Sequence, residues 1–113
     1  MKQVFDVPER GDIVLLAFEP MFRGGRSGRR PAVVVSPQAY NARAGLALVC
    51  PIVTDVKGYP FEVLLPAGLA VGGAVLADQA VSLDWRSHRA ERIGSLPAAA
   101  GEELLGKLRA LVG

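Results

Sequence analysis

Short apolar runs, separated by segments that contain glycine or proline, limit what this chain of 113 residues can fold into. The runs are rich in β-branched residues and end before they reach the length of an ordinary helix, which is typical of strands. The predicted strands cover residues 13–18, 32–35, 46–53, 61–65 and 74–83. The last is either one long strand or two strands with a kink near Asp78. No βαβ unit and no internal repeat lies between them, so a small, strongly bent barrel is predicted.

The last segment, residues 97–112, is where helical periodicity is sustained. Pro97 stands near its start and Gly113 follows its end, as expected for a helix. Its apolar positions recur three or four residues apart: Leu104, Leu105, Leu108, Leu111 and Val112. We therefore predict a mainly β fold with a terminal helix packed on the barrel, in one domain spanning residues 1–113.

Residues 22–36, with the sequence FRGGRSGRRPAVVVS, hold a one-signed cluster of charge next to a predicted strand. The cluster consists of Arg23, Arg26, Arg29 and Arg30, spaced by three glycines and offset by no acid. Guanidinium groups match the geometry of phosphates, and glycines let backbone N–H groups come close to them. The alternative is a solvated loop whose charges serve solubility. The net charge is only +2, so the concentration of arginine is what favours an anionic polymer as partner.

The inventory of reactive residues excludes several kinds of site. The single histidine, His88, excludes a two-histidine ribonuclease and a histidine metal cluster, and the single cysteine excludes a cysteine zinc site. No P-loop, dinucleotide or Gly-x-Ser-x-Gly motif occurs, and the carboxylates do not pair at short spacing. We predict no metal and no cofactor. Cys50 and Trp85 are interpreted as core residues, although an edge position would let Trp85 stack on a base.

The hydropathy pattern bears on location. The longest apolar runs are far shorter than the ~20 residues that span a membrane. The first residues, MKQVFDVPERGD, lack the apolar run of a signal peptide. A cytoplasmic protein without a membrane partner is therefore expected.

Three motifs together resemble one known family. They are residues 29–37, RRPAVVVSP; residues 57–63, KGYPFEV; and residues 77–79, ADQ, with Ser82 and Trp85-Arg86 after them. In this order they are similar to the MazF/PemK (Kid-like) toxins of bacterial type II toxin–antitoxin systems. The resemblance implies the small SH3-like barrel of MazF/PemK/CcdB-type toxins. It also implies a homodimer that cuts single-stranded mRNA at short sequences without a metal, and a cognate antitoxin that occupies the RNA groove.

The resemblance also implies catalytic positions. Arg30, at the strand start, matches the family's catalytic arginine and would stabilise the charge that develops on the phosphorane. The family's catalytic threonine falls at Val53, with Thr54 next to it. Because neighbouring strand residues face opposite ways, Thr54 replaces that threonine only if a bulge or a strand end re-aims its side chain. Asp78 matches the base used in one branch of the family, while Leu76 stands where that branch has an arginine.

The residues expected to contact RNA are Arg23, Arg26, Arg29, Lys57, Gln79 and Arg86. Two other functions remain open, the first of them because Val53 lacks a hydroxyl. One is a non-catalytic toxin of the same fold that binds a protein such as a topoisomerase, and the other is a basic barrel that only binds nucleic acid.

Overall fold

The computed structural model describes residues 6–17 and 28–113. The strands of this part of the chain are β1 (Asp12–Ala17), β2 (Arg29–Val34), β3 (Leu46–Val53), β4 (Glu62–Leu64), β5 (Ala74–Leu76), β6 (Val81–Asp84) and β7 (Glu91–Ser95). The helices are α1 (Gln38–Ala44) and α2 (Ala98–Val112), and Ala77–Gln79 form a single 3-10 turn. The predicted mainly β architecture with a terminal helix is confirmed.

The strands form one antiparallel sheet in the order β4-β5-β3-β2-β1-β7, in which β3 is the central element. One edge of β3 pairs with β2. The other edge pairs first with β6, over Leu46 to Val49, and then with β5, at Ile52 and Val53. Pro51 lies between these two pairings, where a residue without an N–H group is tolerated because the ladder changes partner.

Two apolar clusters lie on opposite faces of β1, β2 and β3, because successive side chains of a strand point in opposite directions. Alternate residues such as Ile13, Val33 and Cys50 pack with Leu104 of α2. The residues between them form the second cluster around Trp85: Val14, Leu16, Ala32, Val34, Ala47 and Val49. Helix α2 thus covers the face of the sheet opposite the tryptophan.

Trp85 is a core residue, as expected, and is only 2% exposed, so it offers no surface for stacking on a base. Its Nε1–H donates to the backbone oxygen of Asn41, 2.9 Å away. The buried Asn41 side chain donates to the Pro8 carbonyl at 2.8 Å and accepts from the Ser36 hydroxyl at 2.6 Å. One buried amide therefore joins α1, the segment before β1 and the segment after β2.

The structure corrects the predicted strands at two places. No strand was predicted between residue 83 and the terminal helix, but Glu91–Ser95 form β7, an edge strand in which Glu91 and Arg92 are exposed. Strand β2 begins at Arg29, ahead of Pro31, because β1 supplies partners for the whole stretch. Residues 74–83 form two strands separated by the turn at Asp78, which confirms the kinked alternative.

No helix of the described residues is long and apolar enough to cross a membrane.

Candidate functional site

The start of β2 and the end of β3 border a common surface depression of about 580 Å³. Its lining residues are Arg30, Pro31, Ile52, Val53, Thr54, Asp55, Val71 and Gly72. Most of the lining is apolar, and Arg30, Thr54 and Asp55 are the lining residues with polar side chains. Such a surface combines polar groups that orient a ligand with an apolar base on which it rests.

Arg30 and Val53 lie on the same face of the sheet. Ala32 pairs with Pro51 across β2 and β3, so two further steps of the same register bring Arg30 opposite Val53. Arg30 and Ala32 are two residues apart on β2, so their side chains point to the same face of the sheet. Ala32 belongs to the cluster around Trp85. Arg30 therefore stands on the tryptophan side of the sheet, beyond the end of that cluster.

Thr54 follows the last paired residue of β3. Val53 is still paired with Ala74 of β5, and the pairing at Ile52 and Val53 is regular, without a bulge. The chain bends at Thr54. Thr54 is exposed and lines the depression together with Arg30. Of the two conditions for re-aiming Thr54, the structure has the strand end and not the bulge.

A buried carboxylate holds the loop that follows Thr54. Glu62, only 7% exposed, accepts the N–H of Lys57 at 3.0 Å and the N–H of Gly58 at 2.8 Å. The Lys57 ammonium pairs with Asp55 at 3.0 Å, with both side chains largely in solvent. From helix α2, the Lys107 ammonium donates to the Glu62 carbonyl at 2.9 Å. Sequence reasoning missed this role of Glu62, although an acid closely following the Gly58-Tyr59-Pro60 turn was a usable signal.

Two of the predicted RNA-contacting arginines lie near the outer end of β2. The Arg29 guanidinium pairs with Glu91 of β7 at 2.8 Å and donates to the Arg89 carbonyl at 3.4 Å. Arg86 lies over the indole of Trp85, 4.8 Å from the ring centroid. The turn that carries Arg86 is fixed to β1 by a hydrogen bond from the Ala17 N–H to the His88 carbonyl, 2.7 Å long.

Asp78 and Gln79 are exposed on the 3-10 turn and are not among the residues that line the depression. This turn packs against β3 and α2. Burial of Cys50, followed by the charge of Asp78, raises the pKa of the Cys50 thiol from 9.0 to about 11. Cys50 is thus a buried thiol that stays protonated at neutral pH, in agreement with its interpretation as a core residue.

The remaining predicted residues, Arg23 and Arg26, lie outside the residues that the structure describes. Within residues 6–17 and 28–113, no three histidine, cysteine or acidic side chains are grouped so that they could hold a metal ion. The candidate site consists of Arg30 and Thr54 at the depression. Lys57 is paired with the lining residue Asp55, and Arg29 precedes Arg30 in β2.

Residues 9–112 match the family described as the PemK-like, MazF-like toxin of type II toxin–antitoxin systems. The chain is 39% identical over 107 residues to the endoribonuclease toxin MazF of Escherichia coli (strain K12), covering 95% of this chain and 96% of that protein. It is 37% identical to the endoribonuclease toxin ChpB of the same strain, over 92% of this chain and 93% of that protein. A crystal structure of MazE–MazF from Deinococcus radiodurans is similar in fold, with a TM-score of 0.90, 51% identity, and coverage of 96% of this chain and 98% of that chain.

Proposed function

Because the chain belongs to the PemK-like, MazF-like toxins of type II toxin–antitoxin systems, we propose that it is a sequence-specific endoribonuclease whose site is the depression between Arg30 and Thr54. The relatives that are similar to it over nearly the whole chain are named endoribonuclease toxins. The observation that carries the assignment of the site is the meeting of an arginine and a hydroxyl residue at one depression, at the ends of two adjacent strands. The substrate is single-stranded mRNA, and the place of action is the cytoplasm.

The proposed reaction is attack by the 2′-hydroxyl on the adjacent phosphorus. The O2′–P bond forms, the P–O5′ bond breaks, the 2′-hydroxyl proton goes to a base and the leaving O5′ receives a proton. The products are a 2′,3′-cyclic phosphate and a 5′-hydroxyl, so no metal and no protein nucleophile are needed. Asp78 does not line the depression, so its assignment as the base remains a prediction from the motif alone.

Arg30 and Thr54 act on the charge that develops in this reaction. The Arg30 guanidinium donates to the phosphorane oxygens, on which negative charge accumulates in the transition state. The Thr54 hydroxyl donates a further hydrogen bond to a phosphate oxygen. Pro31, Ile52 and Val53 line the depression beside these groups. Bound RNA that covers this apolar surface would exclude water from the site and thereby strengthen both interactions.

The partners follow from the family. The Deinococcus radiodurans relative has been solved as MazE–MazF. We propose that a cognate antitoxin covers the depression of this chain and that the toxin acts as a homodimer. Lys57, Arg29, Arg86 and Gln79, together with Arg23 and Arg26, are assigned to hold the RNA on either side of the cleaved bond.

Incubation of the purified protein with defined RNA in EDTA tests the proposal. We expect discrete fragments that end in a 2′,3′-cyclic phosphate, identified by mass spectrometry. Binding of RNA without fragments would leave a nucleic-acid-binding barrel, and the absence of both would favour the toxin that targets a protein. Fragments that need Mg²⁺ would contradict the mechanism.

A further inference from the structure

Gly73 is the residue at which the chain entering β5 comes against the end of β3. Its φ is +114°, a conformation that residues with side chains rarely adopt. A Cβ added there would lie 1.9 Å from the Val53 carbonyl oxygen and 3.0 Å from the Cα of Thr54. Both obstacles are backbone atoms, which cannot swing aside as a flexible side chain would.

The pairing register places Gly73 beside the candidate site. Val53 pairs with Ala74, so one further step brings Gly73 opposite Thr54, where β3 has already ended. On its other side, the Gly73 carbonyl accepts the N–H of Leu65 at 2.9 Å. Gly73 is thus held between the segment after β4 and the bend that carries Thr54.

The preceding residue has the opposite environment. Gly72 lines the depression together with Arg30, and a Cβ added to it would meet no protein atom within 4 Å. Of the two adjacent glycines, one borders the open space of the depression and the other touches the backbone that forms its rim. The close approach at Gly73 is therefore a local requirement and not a general feature of a glycine-rich turn.

We propose that Gly73 is a positioning residue for RNA cleavage, because its lack of a side chain lets β5 fix the bend that aims Thr54 into the depression opposite Arg30. The inference rests on the function proposed above. A side chain at this position would push Val53 and Thr54 away from β5 and change the direction of the Thr54 hydroxyl. Displacement of a catalytic group by about 1 Å is enough to lower a rate by as much as ~100-fold.

The variant Gly73→Ala tests the proposal, with Gly68→Ala as a matched control. Gly68 also has a positive φ, +94°, but a Cβ there would meet nothing within 4 Å, so its replacement introduces backbone strain without the contact. We expect Gly73→Ala to lower the single-turnover cleavage rate by up to about tenfold, which is no more than the loss expected of Thr54→Val, because Gly73 acts through Thr54. Binding of an RNA with a 2′-deoxy group at the cleavage position should be unchanged. An unchanged rate in folded Gly73→Ala would overturn the proposal.

A double mutant distinguishes an effect of Gly73 on the position of Thr54 from a general disturbance of the structure. If Gly73 acts through Thr54, Gly73→Ala should have no further effect on the rate in a Thr54→Val background. Full additivity of the two losses would contradict this role. Two further results distinguish the levels of inference. Absence of cleavage by the unchanged protein removes the proposed function, and wild-type cleavage by Arg30→Ala removes the proposed site. An inactive Arg30→Ala beside a fully active Gly73→Ala removes only the role of Gly73.

If Gly73→Ala does not fold, a measurement on the unchanged protein tests the role of Gly73 instead. The 2′-deoxy RNA is titrated into ¹⁵N-labelled protein, and the amide signals of Thr54, Gly73 and Gly68 are followed. We expect the signals of Thr54 and Gly73 to move together while that of Gly68 stays in place. Amides of Thr54 and Gly73 that do not respond to saturating RNA would overturn the proposal.

Discussion

Thr54 owes its position at the depression to the residue before it. Val53 is paired on the β5 side and carries no hydroxyl, so at this strand end Thr54 supplies the available hydrogen-bond donor. Replacement of Thr54 by valine keeps the shape and removes the hydroxyl. We expect the cleavage rate to fall about tenfold, the equivalent of one hydrogen bond of ~1.4 kcal/mol. Thr54→Ser should retain most of the activity.

The neighbouring variant provides the opposite control. Val53→Thr should change the rate little, because Thr54 already supplies the donor. Rates are to be measured for both variants on one RNA substrate under single-turnover conditions. A silent Thr54→Val together with a faster Val53→Thr would show that the hydroxyl is needed at position 53 and that Thr54 does not take part.

Cys50 gives stability a dependence on alkaline pH. The pKa of the thiol is raised from 9.0 to about 11 in the native state, first by burial and then by the charge of Asp78. Between these values the unfolded chain has lost the thiol proton while the native protein keeps it, so the free energy of unfolding decreases as the pH rises. We expect a decrease of about 2 kcal/mol between about pH 8 and pH 11.

Urea denaturation across this pH range measures the effect, and Cys50→Ala isolates it from the titration of other groups. The variant should lack this part of the decrease, although it is less stable at every pH because of the cavity left in the core. Parallel curves for the two proteins would contradict the raised pKa.

At the scale of elements, the loop between β3 and β4 depends on Glu62. Its buried carboxylate accepts two backbone N–H groups, which lose their partners in Glu62→Ala. We expect the free energy of unfolding to fall by ~1–3 kcal/mol, measured by urea denaturation. Glu103→Ala is the control, because it removes a partly exposed ion pair with Lys107 worth less than ~1 kcal/mol. Equal losses in the two variants would show that Glu62 does not hold the loop.

The elements that could be predicted from the sequence are those whose signal is local. The β-branched run of β3 and the helical spacing of α2 need no knowledge of the rest of the chain. The β7 strand was missed because Glu91 and Arg92 form a strand only through their pairing with β1. The same reason applies to the candidate site. The motif predicted that Arg30 stands at the start of a strand, as it does, but the position of Thr54 depends on where the β5 ladder ends, which is a contact between distant segments.

At the scale of the whole molecule, the proposed RNA path continues from the depression to the charged residues outside it. Arg29 is the first residue of β2 and precedes Arg30. Its guanidinium is paired with the exposed Glu91. A plot of the logarithm of the RNA-binding constant against the logarithm of the salt concentration has a negative slope. If Arg29 also contacts a phosphate, Arg29→Ala should make this slope less steep by roughly 0.7 for single-stranded RNA. Binding of the 2′-deoxy RNA is to be measured at several salt concentrations.

Glu91→Gln is the matched control for this measurement, since it removes the same ion pair and leaves the guanidinium in place. We expect the salt slope of Glu91→Gln to equal that of the unchanged protein. If Arg29→Ala also leaves the slope unchanged, Arg29 serves only to join β2 to β7.

The central claim is that the Arg30 guanidinium stabilises the transition state of RNA cleavage. The most direct measurement is the single-turnover rate of Arg30→Ala on one defined RNA in EDTA, beside Arg43→Ala, which removes an exposed arginine from the end of α1. We predict that Arg30→Ala is folded and that its rate is lower by ~10²-fold or more, with Arg43→Ala unaffected. A rate near that of the unchanged protein in Arg30→Ala would contradict the account.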